Sequence, residues 1–426
     1  MSRKVLYLLA LLLLSVSIVS AQDAVTLIYL VDESQNSQDM AHALADAYMA
    51  AHPEVTITVE SRPGGTEGDN IVKTRLATGD MTDIFFYNSG SLLQALNPSQ
   101  TLVDLSDQPF IENIVESFIP TVSQDGGIFG VPTGTAMGGG ILYNKAVYEE
   151  LGLSVPTTWG EFVANNEALL EAGIPPVLQT YGDTWTSQLF VLGDYYNVNH
   201  EVPTFTEEYT GNQAKYADTP AAMAGFTYLQ QGYEAGWWQP DYATTRFEQG
   251  LQLLADGEVA HYPMLTFALS TIAANNPDKI EDIGFFAQPG NDPEANGATI
   301  WMPAGTYIPQ TTEGRNREVA LDFLGFIASV EGADTLTAMV EPNGPYVIKG
   351  ATLPDTVMGA VQDLAAYIES GDSYPALEFV SPLKGPTLEQ LCVAVGTGQM
   401  DAATAAANYD LDVERQAQQL GLPGWD

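Results

Sequence analysis

Three short apolar segments near the start of the chain, separated by helical patterns, constrain the fold most strongly. The segments VTLIYLV (25–31), PEVTITVES (53–61) and TDIFFYN (82–88) are rich in β-branched and aromatic residues, as strands are. Between them, apolar residues recur at helical spacing around residues 40–51 and 71–77. Strands that alternate with helices in this way predict βαβ units on a mostly parallel sheet.

The remainder of the chain predicts a second α/β lobe. Residues 146–275 are expected to be mainly helical, and strand-like segments return at IGFFAQP (283–289) and TIWMP (299–303). Residues 316–340 are predicted to be helical again. At about 100–200 residues per domain, a chain of 426 residues has room for two or three domains. No internal repeat is evident in the sequence.

The first residues have the form of an export signal. Arg3 and Lys4 precede an apolar run over residues 5–19, and a small-x-small cleavage pattern ends at Ala21. This run is shorter than the roughly 20 residues needed to cross a bilayer. The mature protein is expected to begin at Gln22; a retained membrane anchor is the alternative. Because no lipoprotein cysteine stands at the cleavage site, we expect a free periplasmic or extracellular protein.

The chain is strongly acidic, with 54 acidic and 14 basic residues and a net charge of −40. Such a field repels nucleic acids and anionic membranes, so neither is expected as a partner, and it argues mildly against a polyanionic ligand. Cys392 is the only cysteine, which rules out an intramolecular disulfide. We expect it to be a buried small apolar residue.

The glycine-rich segment GVPTGTAMGGGILYNK (130–145) does not fit a phosphate-binding loop. A P-loop requires Gly-Lys-Ser/Thr, whereas Lys145 follows Asn144, and the G-x-G-x-x-G spacing of dinucleotide sites is absent. No nucleotide or other cofactor is therefore expected. We interpret the glycines as mechanical: Gly134 would adopt positive φ at a hinge, and residues 138–140 would let neighbouring groups approach closely.

Metal-binding and catalytic motifs are also missing from the sequence. None of the four histidines belongs to a metal-ligand motif, so no metal is expected. NDPEANG (291–297) resembles the first half of a calcium loop, but Pro303 stands where the bidentate glutamate is required. There is no G-x-S-x-G nucleophile motif. With so many acidic residues, a carboxylate pair for glycoside hydrolysis stays possible without positive support.

Aromatic residues in polar, glycine-rich segments favour a saccharide ligand. Examples are FFYNSG (85–90), YGDTW (181–185), AGWWQPDY (235–242) and NGATIWMP (296–303). The C–H faces of sugars pack on aromatic rings, and their hydroxyl groups require paired donors and acceptors. The alternative for each ring is a place in the core. Trp185, close to Asp183 in an expected loop, is the strongest candidate for the site.

Five segments in a fixed order resemble the extracellular solute-binding proteins of family 1, the sugar-binding subunits of bacterial ABC importers. The most specific segment is GIFGVPTGTAMGGGILYNKAVYEELGLSVPTTWGEF (127–162), which is similar to the family pattern of an aromatic-Asn-Lys followed by P-x-T-W-x-E. The others are AYMAAHPEVTITVE (47–60), LATGDMTDIFFYNSGSLLQAL (76–96), FEQGLQLLADGEVAHYPM (247–264) and EVALDFLGFIASVEGADTL (318–336).

This resemblance implies a two-lobed periplasmic-binding-protein fold of the type II kind, in which two α/β lobes are joined by two or three hinge crossovers. Residues 1–21 would be the signal peptide. The first lobe would comprise residues 22–133 and 286–331, and the second residues 134–285 and 332–426. The crossovers are expected near Pro132–Ala136, Ile283–Ala287 and Val330–Ala333.

The resemblance also implies a non-enzymatic, monomeric receptor that delivers a saccharide, expected to be an oligosaccharide, to an ABC transporter permease. The alternatives are a secreted glycoside hydrolase and a binding protein for a non-sugar solute such as a polyamine. The residues that it places at the ligand are Glu33, Tyr87, Asn88, Thr135, Asp183, Trp185, Trp238, Met264, Phe267 and Trp301.

Overall fold

The structure is a computed structural model that describes residues 24–425. The predicted signal peptide, residues 1–21, lies outside the described residues. Within residues 24–425, none of the helices has both the length and the apolar character needed to cross a membrane. The strands are β1 (Val25–Asp32), β2 (Val55–Arg62), β3 (Ile84–Tyr87), β4 (Ser123–Gln124), β5 (Gly127–Ile128), β6 (Gly130–Pro132), β7 (Met137–Asn144), β8 (His261–Leu265), β9 (Ile283–Ala287), β10 (Ala298–Trp301), β11 (Gly305–Tyr307) and β12 (Ser373–Pro375).

The helices fill the intervals between the strands and flank two sheets. The expectation that residues 146–275 are mainly helical is confirmed, because eight of the helices lie in this interval or overlap its start. The helices are α1 (Gln35–Ala51), α2 (Gly65–Thr78), α3 (Ser91–Gln94), α4 (Pro98–Thr101), α5 (Lys145–Leu151), α6 (Trp159–Glu171), α7 (Leu189–Leu192), α8 (Tyr195–Glu201), α9 (Phe205–Thr210), α10 (Pro220–Glu234), α11 (Phe247–Ala255), α12 (Ala268–Asn275), α13 (Gly314–Ile327), α14 (Val330–Met339), α15 (Gly359–Ser370), α16 (Leu377–Val380), α17 (Leu388–Gly396) and α18 (Ala402–Gln419).

The first sheet has the strand order β2-β1-β3-β11-β6. β1 pairs in parallel with β2 from Val25 opposite Val55 to Asp32 opposite Arg62, and it also pairs in parallel with β3. β11 returns later in the chain and lies antiparallel between β3 and β6. The three apolar segments near the start of the chain therefore form the predicted parallel unit. Their carboxyl ends meet at one edge of this sheet.

The second sheet is organised around β7, the strand that contains the glycine-rich segment. β8 pairs antiparallel along one edge of β7, and β9 and β10 share the other edge. β12 pairs in parallel with β10. The structure thus has the two α/β lobes that the sequence predicts, each with its own sheet.

The glycines of β7 make room for side chains of neighbouring elements. A Cβ atom on Gly139 would overlap the edge of the Trp301 ring, and one on Gly138 would lie 2.6 Å from a methyl carbon of Leu364. Gly134, between the two sheets, has φ = 97°, a conformation that favours glycine. The segment therefore serves packing and chain direction, in line with its interpretation as mechanical.

The first of the three expected crossovers lies where it was predicted. The chain leaves the first sheet at β6 and enters the second at β7, so that residues 133–136 connect the sheets. The second crossover differs from the expectation of Ile283–Ala287. β9 pairs with β7 in the second sheet, and the chain returns to the first sheet through residues 302–304. An apolar strand such as IGFFA fits the interior of either sheet, so its sequence does not identify its partner.

The third crossover also lies later than the expected Val330–Ala333. Those residues begin α14, which packs on α1 of the first lobe. The backbone then bonds residues 113–115 through the carbonyl of Val347 and the amide of Lys349. Only afterwards does the chain reach α15, which packs on β9 of the second lobe. The limits of the two lobes stay a prediction, but these strand and helix contacts favour returns at 302–304 and 350–358.

Substitution of Gly139 by alanine is expected to destabilise the protein by about 1–3 kcal/mol, the usual cost of an extra group in a filled core. The added methyl group would overlap the ring of Trp301, which is 6% exposed and cannot move away freely. Thermal unfolding followed by circular dichroism measures the change. Gly160→Ala is the matched control, because nothing lies within 4 Å of its Cβ position near the start of α6. Equal stability of the two variants would contradict this account of the glycines.

Candidate functional site

A cavity of about 810 Å³ lies between the two sheets and is lined from both. Its first side is formed at the carboxyl ends of β1, β2 and β3 and by the crossover at residues 133–135. In open α/β sheets this edge is the usual place for ligands, because the loops that follow the strands diverge there. The volume lies in the upper part of the range of about 300–1,000 Å³ for small-molecule pockets.

Three aromatic rings form a continuous apolar wall on the second side of the cavity. The ring centroid of Trp185 lies 5.1 Å from that of Phe247 and 5.9 Å from that of Phe267. Phe247 and Phe267 are stacked, with their centroids 5.4 Å apart. Trp185 belongs to a 3₁₀ turn, Phe247 begins α11, and Phe267 follows β8. Trp185 is partly exposed, so its ring is available to a ligand.

Charged groups gather at another part of the wall, around Lys384. The Nζ atom of Lys384 lies 2.9 Å from a carboxylate oxygen of Glu378, and these side chains are 12% and 9% exposed. Glu378 also accepts a hydrogen bond from the indole of Trp301. Burial alone would lower the pKa of Lys384, but Glu378, Glu389 and Asp69 raise it above its ordinary value.

Glu389 joins this charged group to the start of α2. Its carboxylate accepts a hydrogen bond of 2.8 Å from the hydroxyl of Thr184, and both carboxylate oxygens lie about 3.5 Å from the Cβ position of Gly65. Burial raises the pKa of Glu389, against the effect of the bond from Thr184. A carboxylate at the first turn of a helix interacts favourably with the helix dipole. Glu389 therefore links the second lobe to the first.

A second ion pair lies on the more exposed part of the wall. Arg246 donates hydrogen bonds of 3.1 and 2.7 Å to Asp183, which also accepts one from the backbone amide of Phe247. The same guanidinium lies 3.7 Å from Glu33 of the first lobe. The bond with Asp183 raises the pKa of Arg246. Asp183 is thus a structural acceptor that fixes the start of the helix carrying Phe247.

Arg62 lies at the end of β2 with its guanidinium over the ring of Tyr87, 5.5 Å from the centroid. Burial raises the pKa of Tyr87, and the nearby Asp69 adds to that effect.

Several buried polar atoms on residues of the cavity wall have no hydrogen-bond partner within the described chain. They are Asn36 Oδ1, Arg62 Nε, Ser91 Oγ, Thr135 Oγ1 and Gln188 Oε1.

Most of the residues predicted from the sequence are brought together by the fold. Glu33, Asn88, Thr135, Asp183, Trp185, Phe267 and Trp301 all line the cavity.

Tyr87, Met264 and Trp238 do not line the cavity. Tyr87 and Met264 are fully buried in strands whose side chains alternate between two faces, and their neighbours Phe86 and Leu265 face the cavity instead. The ring of Trp238 fills the space above Gly232 in the core of the second lobe, and its indole donates to the carbonyl of Gly396 at 2.9 Å.

The sequence interpretation missed most of the charged residues of the wall. The segment SRPGGTEGDN (61–70) contains Arg62 and Asp69 and joins a strand end to a helix start, but none of its residues was among those predicted for the site. The rule that ligands bind at the carboxyl ends of parallel strands could have identified it. Lys384, Glu378 and Glu389 carry no such local signal.

No group of three or more His, Cys, Asp or Glu side chains suited to hold a metal ion occurs within residues 24–425. His261 is fully buried, and its Nε2 atom lies 2.6 Å from the hydroxyl of Tyr148. Burial lowers the pKa of His261 to about 3, so the ring is neutral. This histidine is a packing residue of the second lobe.

Comparison with known proteins finds sequence similarity to a protein family and to a characterised relative. Residues 34–334 match the family model described as bacterial extracellular solute-binding protein. The multiple sugar-binding protein of Streptococcus mutans is 23% identical over 289 residues. The aligned region covers 66% of this chain and 66% of that relative, just under two thirds of its length.

Solved structures share the fold at low sequence identity. A chitin oligosaccharide binding protein superposes with a TM-score of 0.77 at 20% identity, covering 93% of this chain and 100% of that one. A sugar transporter from Bacillus licheniformis in complex with stachyose gives a TM-score of 0.73 at 14% identity, covering 92% and 100%. Because the family model spans most of the chain and these neighbours have the same fold, the chain belongs to the family of bacterial extracellular solute-binding proteins.

Proposed function

We propose that this protein captures an oligosaccharide in the cavity between its lobes and delivers it to the permease of an ABC transporter. The observation that carries the proposal is the wall formed by Trp185, Phe247 and Phe267, which shares one cavity with polar and charged side chains of both lobes. The names of the relatives support it, since they refer to multiple sugars, a chitin oligosaccharide and a complex with stachyose.

The two walls suit the two kinds of surface that a sugar presents. Aromatic rings can cover the C–H faces of a pyranose, and the partly exposed Trp185 is best placed to do so. Hydroxyl groups of the sugar can complete the bonding of wall atoms such as Thr135 Oγ1 and Gln188 Oε1, which have no partner within residues 24–425. Buried polar groups left unpaired are costly, so these atoms would discriminate between sugars.

We infer that the protein performs no catalysis. Glycoside hydrolysis requires one carboxylic acid and one free carboxylate on either side of the scissile bond. Asp183 is held by Arg246 and a backbone amide, and Glu378 is held by Lys384 and Trp301. These engaged carboxylates suit a rigid binding wall better than proton transfer.

We further propose that the protein acts as a monomer in the periplasm or outside the cell after removal of residues 1–21. Closure of the two lobes would bring both walls onto one ligand, and the permease would engage the closed form. The contacts of Arg246 with Glu33 and of Glu389 with the start of α2 join the lobes and support such a closed form.

A thermal-shift screen of mono- and oligosaccharides, amino acids and polyamines tests the proposed function. A saccharide at 100 times its dissociation constant should stabilise the protein by about 2.7 kcal/mol. The same incubations are analysed by chromatography for breakdown of the sugar. Stabilisation without breakdown is the expected result. Release of products would indicate the hydrolase, and a shift with polyamines alone would show that the ligand is not a sugar.

A further inference from the structure

Basic residues are rare in this chain, yet they are concentrated at the cavity. Of the 14 lysines and arginines, two precede residue 24, and four of the other 12 line the cavity. The lining residues make up only about an eighth of the described chain. The cavity thus holds a third of the lysines and arginines of residues 24–425, beside eight carboxylates, and the partners of each cation decide whether its charge is compensated. The four residues are Arg62, Lys73, Arg246 and Lys384.

Two of these cations already have anionic partners. Lys384 lies 2.9 Å from Glu378, and Arg246 lies 2.7 Å from Asp183. Arg62 and Lys73 take part in none of the ion pairs formed within residues 24–425. Lys73 is only half-buried and water can solvate it, whereas Arg62 is 6% exposed. Arg62 is therefore the cation whose charge lacks compensation.

The hydrogen bonds of Arg62 leave one edge of its guanidinium without an acceptor. Nη1 donates to the carbonyl of Pro63 at 3.0 Å. Nε is buried without a partner, and Nη2 donates to no acceptor of the described chain. Nε–H and Nη2–H point to the same side of the group and match the two oxygens of a carboxylate. Tyr87 lies against one face of the guanidinium, and the lack of a side chain at Gly68 gives it room.

We propose that Arg62 binds a carboxylate of the ligand, and that the protein therefore takes an acidic oligosaccharide containing a uronic acid. The inference rests on the proposed function and names the substrate class of the same cavity. A neutral hydroxyl group could accept one hydrogen bond from Arg62, but only an anion also compensates a buried charge. Arg62 lies three residues before Gly65, the first residue of α2, and the positive end of this helix favours a negative group in the same region.

The acidic residues of the wall repel negative charge, so they limit the number of carboxylate groups that the ligand can carry. Asp69 and Glu389 lie at the same part of the cavity and offer acceptors for sugar hydroxyl groups, so the remainder of the ligand should be neutral. The acidic surface of the protein repels anions, but salt screens this field beyond about 8–10 Å. The contact with Arg62 is buried and is screened far less.

The test uses pairs of ligands that differ only in the acidic group. Glucuronate- and galacturonate-containing di- to tetrasaccharides, and the same compounds with their carboxyl groups reduced to alcohols, are titrated into the protein by calorimetry at constant ionic strength. We expect an acidic member to bind about 10- to 100-fold more tightly than its reduced partner, as hydrogen bonds to a charged group allow. In Arg62→Met this preference should disappear, and Arg62→Lys should retain only part of it.

Lys279→Met is the matched control, because it removes one positive charge from an exposed pair outside the cavity. It should leave the preference unchanged, and thermal melts check that all variants are folded. Equal binding of acidic and reduced members by the unaltered protein, or equal loss of both in Arg62→Met, would overturn the inference and leave the proposed function intact. If no saccharide of either kind binds, the proposed function fails and this inference with it.

Discussion

Replacement of Trp185 by alanine is expected to weaken saccharide binding by about 30-fold or more, as for other aromatic residues at the centre of an interface. The ring is partly exposed in the cavity and contacts Phe247 and Phe267, so its loss removes the largest of the three rings of the aromatic wall. Calorimetric titration with the saccharide that gives the largest thermal shift measures the effect. The fold should persist, because Trp185 is not a fully buried residue.

Two further variants separate stacking from general damage. Trp185→Phe keeps an aromatic ring and should lose much less affinity than the alanine variant. Tyr233→Ala removes an aromatic residue that is 39% exposed and lies outside the cavity, so it should bind normally. Unchanged affinity in a folded Trp185→Ala protein would remove Trp185 from the site.

Replacement of Lys384 by methionine is expected to lower the free energy of unfolding by about 3–5 kcal/mol, the usual cost of breaking a buried ion pair. The carboxylate of Glu378 would stay buried beside Trp301 without its cation. Denaturant unfolding at pH 7 measures the change. The double variant Lys384→Met with Glu378→Gln should recover most of the stability, because it removes both charges together.

The pH dependence of the Lys384→Met variant gives an independent check. The pKa of Lys384 is raised, so its stabilising contribution is complete at neutral pH and is lost only above the ordinary lysine range. At pH 3, which lies below the ordinary carboxyl pKa values of about 3.9–4.3, the variant should differ less from the unaltered protein than at pH 7. Lys279→Met, which breaks an exposed pair with Asp256, should cost at most about 1 kcal/mol at either pH. A loss from Lys384→Met no larger than this would contradict the account of the buried pair.

Local sequence patterns predicted the early strands and the mainly helical interval 146–275, but neither β8 within that interval nor the partners of the later strands. The first three strands were predicted correctly, because β-branched residues bounded by turn signals mark them directly. The segment IGFFA was also recognised as a strand, but it was expected at a crossover and instead pairs with β7. Strand pairing depends on which edge strand of the assembled sheets is still unpaired. The sequence of an entirely apolar strand does not indicate which edge it will join.

Seven of the ten residues predicted for the site line the cavity, and the other three lie elsewhere for two different reasons. Trp185, an aromatic residue in a polar loop, and Phe267, named from the family resemblance, both line the cavity, and their contact with a ligand stays a prediction. Tyr87 and Met264 were misplaced by one position each, since a strand presents alternate residues to opposite faces. Trp238 was indistinguishable by sequence from a ligand-facing aromatic, and only its packing over Gly232 assigns it to the core.

By itself, the sequence predicted the two-lobed α/β class, the first three strands and the mainly helical interval 146–275, and it favoured a mechanical role for the glycine-rich segment. These depend on the periodicity of apolar residues and on backbone freedom, which are local properties. The tertiary structure alone decided which charges are compensated. The carboxylate of Glu378 binds both Lys384 and the indole of Trp301. Arg62 lies over the ring of Tyr87, and no carboxylate of the described chain is within ion-pair distance of it. Such contacts join residues far apart in the chain, so their energies arise only when the fold removes both groups from water.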